Sequence, residues 1–274
     1  MTESQTQKSE KLTIGLFATC AVDMLRPAVG FATAKVLEQA GCEVHVPAQS
    51  CCGQIGYNNG QPDAAREMAW TLITAFHEFD YTVVPSGSCG GMIKIHYPSL
   101  FRYDDRLAQV EAFCAKVFEL TVFLKDVLDF KPQYPNCDLA DKTITYHDSC
   151  AGLREFGIKI QPRELIRSCN NNTVTEMTET EVCCGFGGTF CVKFPEIANR
   201  MVENKASNAR ATNAHMLVGG DLSCLLHIAG KMRRQNDDKQ IGNPEVRHIA
   251  ELLAGELDHP PIGEAIKRKT NECS

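Results

Sequence analysis

Leu12-Thr13-Ile14-Gly15-Leu16-Phe17-Ala18-Thr19-Cys20 is an apolar run that ends on a cysteine, and the arrangement returns at Thr143-Ile144-Thr145-Tyr146-His147-Asp148-Ser149-Cys150. Leu12–Thr19 and Thr143–Tyr146 read as strands. Val22–Ala40 then carries apolar residues at helical spacing until Gly41 stops it. Two further cysteine positions repeat. Cys51-Cys52-Gly53 is matched by Cys183-Cys184-Gly185, and Cys89, in Val84-Pro85-Ser86-Gly87-Ser88-Cys89, by Cys224, in Val218-Gly219-Gly220-Asp221-Leu222-Ser223-Cys224. The offsets are 130, 132 and 135 residues. Three offsets that agree so closely, in matching contexts, mark an internal repeat of roughly 130 residues.

Outward from these anchors, short apolar runs alternate with helical stretches. Strands are expected at Cys42–Pro47 and Tyr81–Pro85, helices at Pro62–Phe79 and from Gly90, and mostly helix over Asp105–Phe130. Lys131-Pro-Gln-Tyr-Pro-Asn-Cys137 reads as a linker. The order then begins again. Strands fall at Thr173–Met177, His215–Val218 and Glu245–His248; helices cover Glu164–Ser168, a long stretch to about Ala211, Leu225–Arg234 and Ile249–Leu257. The expected class is α/β: two pseudo-symmetric Rossmann-like βαβ halves with parallel sheets, over 11–130 and 141–258, between polar tails 1–10 and 259–274.

Every repeated cysteine follows the end of an expected strand. In a parallel sheet those loops share the carboxyl edge, where α/β proteins collect ligands, so residues far apart in sequence converge there. Each half then offers four thiols to one crevice: Cys20, Cys51, Cys52 and Cys89 in the first, Cys150, Cys183, Cys184 and Cys224 in the second. Gly53 and Gly185, with Gly90, Gly91, Gly187 and Gly188, bring backbone close to the sulfurs, whose cluster such amides would tune. Four thiolates suit a [4Fe–4S] cluster or one tetrahedral zinc. Structural zinc sites pair their ligands as C-x₂₋₄-C knuckles, which neither half has, so an iron–sulfur core is favoured.

The remaining cysteines have blander readings. Cys42, Cys114, Cys137 and Cys169 have no partner in the other half and read as small core hydrophobes. Cys273 is a bystander in the tail, and Cys191 is a packing residue or a fifth thiolate. His147, three residues before Cys150, is either a structural histidine or a donor to the second site. Ser86 and Asp221, three residues before the third-position cysteines, either ligate or cap. Gly185-Phe-Gly-Gly188 lacks the G-x-G-x-x-G spacing, and no phosphate-binding loop is present. Lys231–Lys239 mixes both signs and reads as a solvated helix end.

Composition narrows the classes. The 274 residues are 43% hydrophobic and 23% charged, with Lys+Arg 28 against Asp+Glu 34 and a net charge of −6. That argues against a disordered chain, a nucleic-acid binder or a basic membrane-surface protein. No run reaches the roughly 18 apolar residues of a membrane span. Met1–Lys11 is polar, without the apolar segment of a secretory signal, so a cytoplasmic location is expected. Fourteen cysteines there point to metal ligation or thiol chemistry.

At Cys51-Cys52-Gly53 and Cys183-Cys184-Gly185-Phe-Gly-Gly-Thr-Phe190 the chain resembles the cysteine-rich CCG-domain iron–sulfur family. Ala18-Thr-Cys-Ala-Val-Asp-Met-Leu25, Cys51-Cys-Gly-Gln54, Pro85-Ser-Gly-Ser-Cys89 and Gly220-Asp-Leu-Ser-Cys224 are similar to its lactate utilization protein A, or LldE, type. The resemblance implies an oxidoreductase subunit in a complex that turns L-lactate into pyruvate, with a ferredoxin-like iron–sulfur subunit and a third small subunit as partners. It also implies iron–sulfur clusters, [4Fe–4S], up to one per half. Heterodisulfide reductase B subunits resemble the chain too, but carry C-x-x-C at the third position. Here Ser86 and Asp221 replace the earlier cysteine, leaving four thiolates per half, enough for cubanes. No residue reads as a catalytic acid, base or hydride acceptor for lactate. An alternative is a thiol–disulfide redox protein using the adjacent cysteine pairs, and a zinc-stabilised assembly module is a third reading.

Overall fold

The computed structural model describes residues 11–132, 142–169, 172–236 and 242–264. In the first half, β1 (Thr13–Leu16) leads into α1 (Cys20–Leu25) and α2 (Pro27–Gln39), and β2 (Glu43–His45) into α3 (Gln54–Asn58) and α4 (Pro62–Phe76). β3 (Tyr81–Val84) then leads into α5 (Gly87–Gly91), a π-helical turn at Met92–His96, α6 (Tyr97–Leu100) and α7 (Leu107–Ala115). β4 (Val117–Glu119) and α8 (Leu120–Val122), continued by a π-helical turn to Val127, close that half. The second half runs β5 (Thr143–His147), α9 (Cys150–Phe156), α10 (Ile160–Ser168), β6 (Thr173–Val174), α11 (Phe190–Lys193), α12 (Pro195–Ala211), β7 (Met216–Gly219), α13 (Leu222–Asn236), β8 (Glu245–His248) and α14 (Ile249–Ala254).

Both sheets are parallel and have one topology. The strand orders are β2-β1-β3-β4 and β6-β5-β7-β8. The registers correspond as well, Ile14 opposite Tyr81 in one sheet and Ile144 opposite Met216 in the other. Thus the alternation of strands and helices yields two copies of one α/β unit, as expected.

Three elements differ from the sequence reading. The stretch 105–130, expected to be mostly helical, contains the strand β4. Its three residues are too few to show a period of two, and only pairing with β3 defines it. The helix expected over Val22–Ala40 starts at Cys20 and breaks at Arg26, because Pro27 cannot continue a hydrogen-bonded turn. Pro195 likewise divides α11 from α12. The expected linker lies mostly outside the described residues.

One buried cluster runs through both halves, from Ile14, Val29 and Val36 through Leu120 and Phe123 to Ile144, Leu217 and Leu252. A second cluster, built on Phe17, Phe76, Met92 and Phe113, covers the other face of the first sheet. Helices meet between the halves most extensively at α5 with α9 and α2 with α14, and also at α8 with α10 and α1 with α13. At the first crossing Gly87 lies so near Gly152 that a Cβ on Gly87 would stand 2.7 Å from the Gly152 Cα. At the second, Arg26 pairs with the fully buried Glu251 at 2.7 Å.

Candidate metal centre

β1, β2 and β3 end on the same side of their sheet, and their loops carry Cys20, the Cys51–Cys52 pair and Cys89 into one pocket. Side-chain hydrogen bonds link the sulfurs in sequence: Cys20 to Cys51, Cys51 to Cys52 and Cys52 to Cys89. The second half repeats the pattern. Cys150 and Cys183 lie 3.8 Å apart, Cys183 bonds Cys184, and Cys184 bonds Cys224. All eight singled-out cysteines are therefore gathered into two quartets of matching order. Cys52, Cys184 and Cys224 are buried; Cys20, Cys51, Cys89, Cys150 and Cys183 are half-buried.

Local chemistry explains the convergence. Thr19 and Ser149 cap α1 and α9, so Cys20 and Cys150 open those helices. Ser86 caps α5, its Oγ accepting from the Cys89 N–H at 3.3 Å. Gly53 and Gly185 follow the cysteine pairs with φ of 84° and 85°, a left-handed conformation that glycine adopts without steric penalty. The turn aims the Gly185 N–H at Cys183 Sγ, 3.3 Å away, and the Gly53 and Ile55 amides at Cys51. Gln49 ties the second loop to the end of β1, accepting from the Ala18 N–H at 2.7 Å and donating to the Leu16 carbonyl at 3.2 Å. Gln54 donates to the Ser88 carbonyl at 3.1 Å and joins the second loop to the third.

The electrostatics of the two quartets agree. Thiol hydrogen bonds from Cys20 and Cys52, then backbone amides, hold Cys51 well below the ordinary thiol value. Cys183 is lowered in the same way by Cys150 and Cys184. The partners move up: Cys20 and Cys150 chiefly by hydrogen bonding to that lowered sulfur, then by burial, and Cys52 and Cys184 likewise. Each pocket thus holds one sulfur shifted toward the thiolate. Four become thiolates together only when a cation supplies compensating charge, which is the behaviour of a metal or cluster site. The donor set, the amides at sulfur and the burial all fit such a group.

The other candidates fall elsewhere. Cys42, Cys114 and Cys169 are buried in the apolar clusters; the Cys114 and Cys169 thiols donate to the carbonyls of Ile93 and Leu165. Cys191 Sγ donates to the Gly188 carbonyl at 3.3 Å, outside the quartet's hydrogen bonds. Cys137 and Cys273 lie outside the described residues. Asp221 turns away from ligation and reaches the other half: the Ser88 N–H and the Ser86 hydroxyl donate to its Oδ2 at 3.1 and 3.2 Å. Sequence reading missed Gln49 and the buried Asp148–Arg163 pair (2.9 Å) beneath the second site. A polar residue pinning a loop carries no periodic signal. His147 is fully buried beside Cys184 and Cys224.

Comparison with known proteins agrees with this geometry. The cysteine-rich domain model, CCG, matches twice, at residues 14–94 and 144–229. Lactate utilization protein A of Oceanobacillus iheyensis is 42% identical over 88% of this chain and 96% of its own. The proteins of that name from Geobacillus sp. strain WCH70 and Exiguobacterium sp. strain AT1b are 40% and 41% identical, each over 88% of this chain. A crystal structure of a hypothetical protein from Helicobacter pylori shares the fold, with a TM-score of 0.63 at 10% identity; the match covers 94% of this chain and 50% of that one. With two copies of the repeat and relatives this close over nearly their full length, the chain belongs to the cysteine-rich CCG-domain family, in its lactate utilization protein A group.

Proposed function

We propose that the protein is the iron–sulfur electron-transfer subunit of a complex oxidising L-lactate to pyruvate, with one [4Fe–4S] cluster per half. The observation that carries this reading is the pair of sulfur quartets, each with one lowered thiol and backbone amides aimed at it. Names of the relatives support the lactate role. Oxidising a 2-hydroxy acid to a 2-oxo acid releases two electrons and two protons. Two one-electron centres match that count. No described residue is arranged to take a hydride from lactate, so the carbon chemistry belongs to a partner.

Arrangement of the sites supports electron passage. Cys89 sits on α5 and Cys150 opens α9, helices that touch at Gly87 and Gly152. The loops after the cysteine pairs also meet, Lys193 Nζ donating to Asn59 Oδ1 at 2.6 Å. Met24, Leu25 and Ile55 near the first quartet, and Val182, Val192 and Phe194 near the second, are exposed apolar side chains suited to a docked subunit. The ferredoxin-like subunit and the small third subunit are the proposed partners.

Anaerobic purification with iron and sulfide analysis tests the reading. About eight irons per chain are expected, with absorption of the cluster type. Cys52→Ser and Cys184→Ser should each remove about half of the iron, and only from their own half. A colourless protein with stoichiometric zinc, or a metal-free one cycling disulfides, overturns the proposal.

A further inference from the structure

The two quartets match in sulfur but not in nitrogen. His147 ends β5 three residues before Cys150, and its place in the first half is taken by Phe17, three residues before Cys20. Phe17 is fully buried, its ring edge-on to Phe76 with centroids 5.9 Å apart. His147 is buried to the same degree, with 1% exposure, yet neither Nδ1 nor Nε2 has a hydrogen-bond partner among the described residues. A buried donor or acceptor left without a partner is destabilising, so a histidine kept at an otherwise aromatic position points to a ligand. One ring nitrogen and the sulfurs of Cys184 and Cys224 all lie within 4.8 Å of one another.

We propose that His147 is a metal ligand of the second quartet, its imidazole nitrogen taking the place of one thiolate beside Cys184 and Cys224, so that the two halves hold chemically different centres. The proposal rests on the reading of the quartets as metal centres. A neutral imidazole with a free lone pair is the form that binds metals, and nothing among the described residues occupies either ring nitrogen. Nitrogen in place of thiolate removes negative charge and raises the potential of an iron–sulfur centre. Loaded with iron, the second centre would stand at the higher potential of the two.

Pulsed electron paramagnetic resonance on the reduced, iron-loaded protein, prepared with ¹⁴N- and with ¹⁵N-histidine, decides the matter without a variant. A coupling of directly bound imidazole, altered by the isotope, is expected. Iron in both halves without that coupling overturns the ligand while leaving the iron–sulfur reading intact. His147→Phe, which copies the first half, should abolish the coupling and lower the second centre's potential, with the first centre unchanged in a Cys184→Ser background. A coupling that survives His147→Phe is also fatal. Should the protein hold no iron at all, the iron–sulfur reading fails by itself, and titration of the metal-free protein with Co²⁺ then decides. Loss of one visible cobalt absorption set in His147→Phe supports the ligand, and identical titrations overturn it.

Discussion

Gly185 shows how far one residue constrains the second site. Its φ of 85° lies where L side chains are strained, and a Cβ there would stand 2.9 Å from the Ala198 carbonyl oxygen and 2.8 Å from the Met201 Cβ. The backbone of α12 cannot yield cheaply. Gly185→Ala is expected to lose about 1–3 kcal/mol by denaturant unfolding and to tilt the amide away from Cys183. Iron retention should fall in the second half alone, measured against the same chain with Cys52→Ser. The glycine after each cysteine pair was legible in the sequence because the motif repeats. His147 was legible only as a curiosity. Nothing in a linear pattern shows that both of its nitrogens lack partners, because that depends on every element packed around it.

At the scale of elements, helix starts do the positioning. α1, α5 and α9 open with a capping hydroxyl followed closely by a ligand-type cysteine, Thr19 before Cys20, Ser86 before Cys89 and Ser149 before Cys150. Ser86 has a double task, since it caps α5 and also donates to Asp221. Ser86→Ala should cost about 0.5–2 kcal/mol in thermal or urea unfolding, in the range of a lost N-cap. An Asp221→Asn, Ser86→Ala double variant should lose less than the two single losses added, because the bond between them is removed only once. Strand β4 is the element that sequence reading could not find. Val117-Phe118-Glu119 is flanked by helices on both sides, and its extended state is defined by pairing Thr82 with Val117 and Val84 with Glu119.

Across the whole molecule, the halves are joined by groups that only the fold brings together. Glu119 at the end of β4 is fully buried beside a small cavity also lined by Tyr146, Asp148, Gly152 and Gly220 of the second half. Burial raises its carboxyl from 4.5 to about 7, against hydrogen bonds from Thr121 and Val122 that lower it, and Asp221 adds a further push upward. A raised carboxyl stabilises the fold below about pH 4.5, and that contribution is lost as pH climbs through about 7. Glu119→Gln should therefore match the wild type near pH 4.5 and gain on it by up to about 3 kcal/mol toward pH 8 in urea unfolding. A difference between them that does not change with pH refutes the assignment. His248, buried and lowered to about 4, opposes Glu119: its contribution grows as pH rises from about 4 to 6.5. Removing Glu119 should thus leave a profile that rises more steeply toward neutral pH.

Sequence by itself determined the duplicated α/β class and singled out the eight cysteines that the fold gathers into two quartets. Both are carried by local pattern: period of hydrophobicity, strand-end position and an interval repeated three times. No helix among the described residues is long and apolar enough to cross a membrane, which the hydropathy also made plain. Only the tertiary structure decided what depends on contact between distant segments. It set Asp221 across the divide rather than at a metal, ran one apolar core through both halves, and packed α5 on α9 through Gly87 and Gly152. It also left His147 buried without a hydrogen-bond partner beside two sulfurs. The physical reason is that periodicity records which side of an element faces inward, whereas the identity of its neighbours is fixed only when the chain closes.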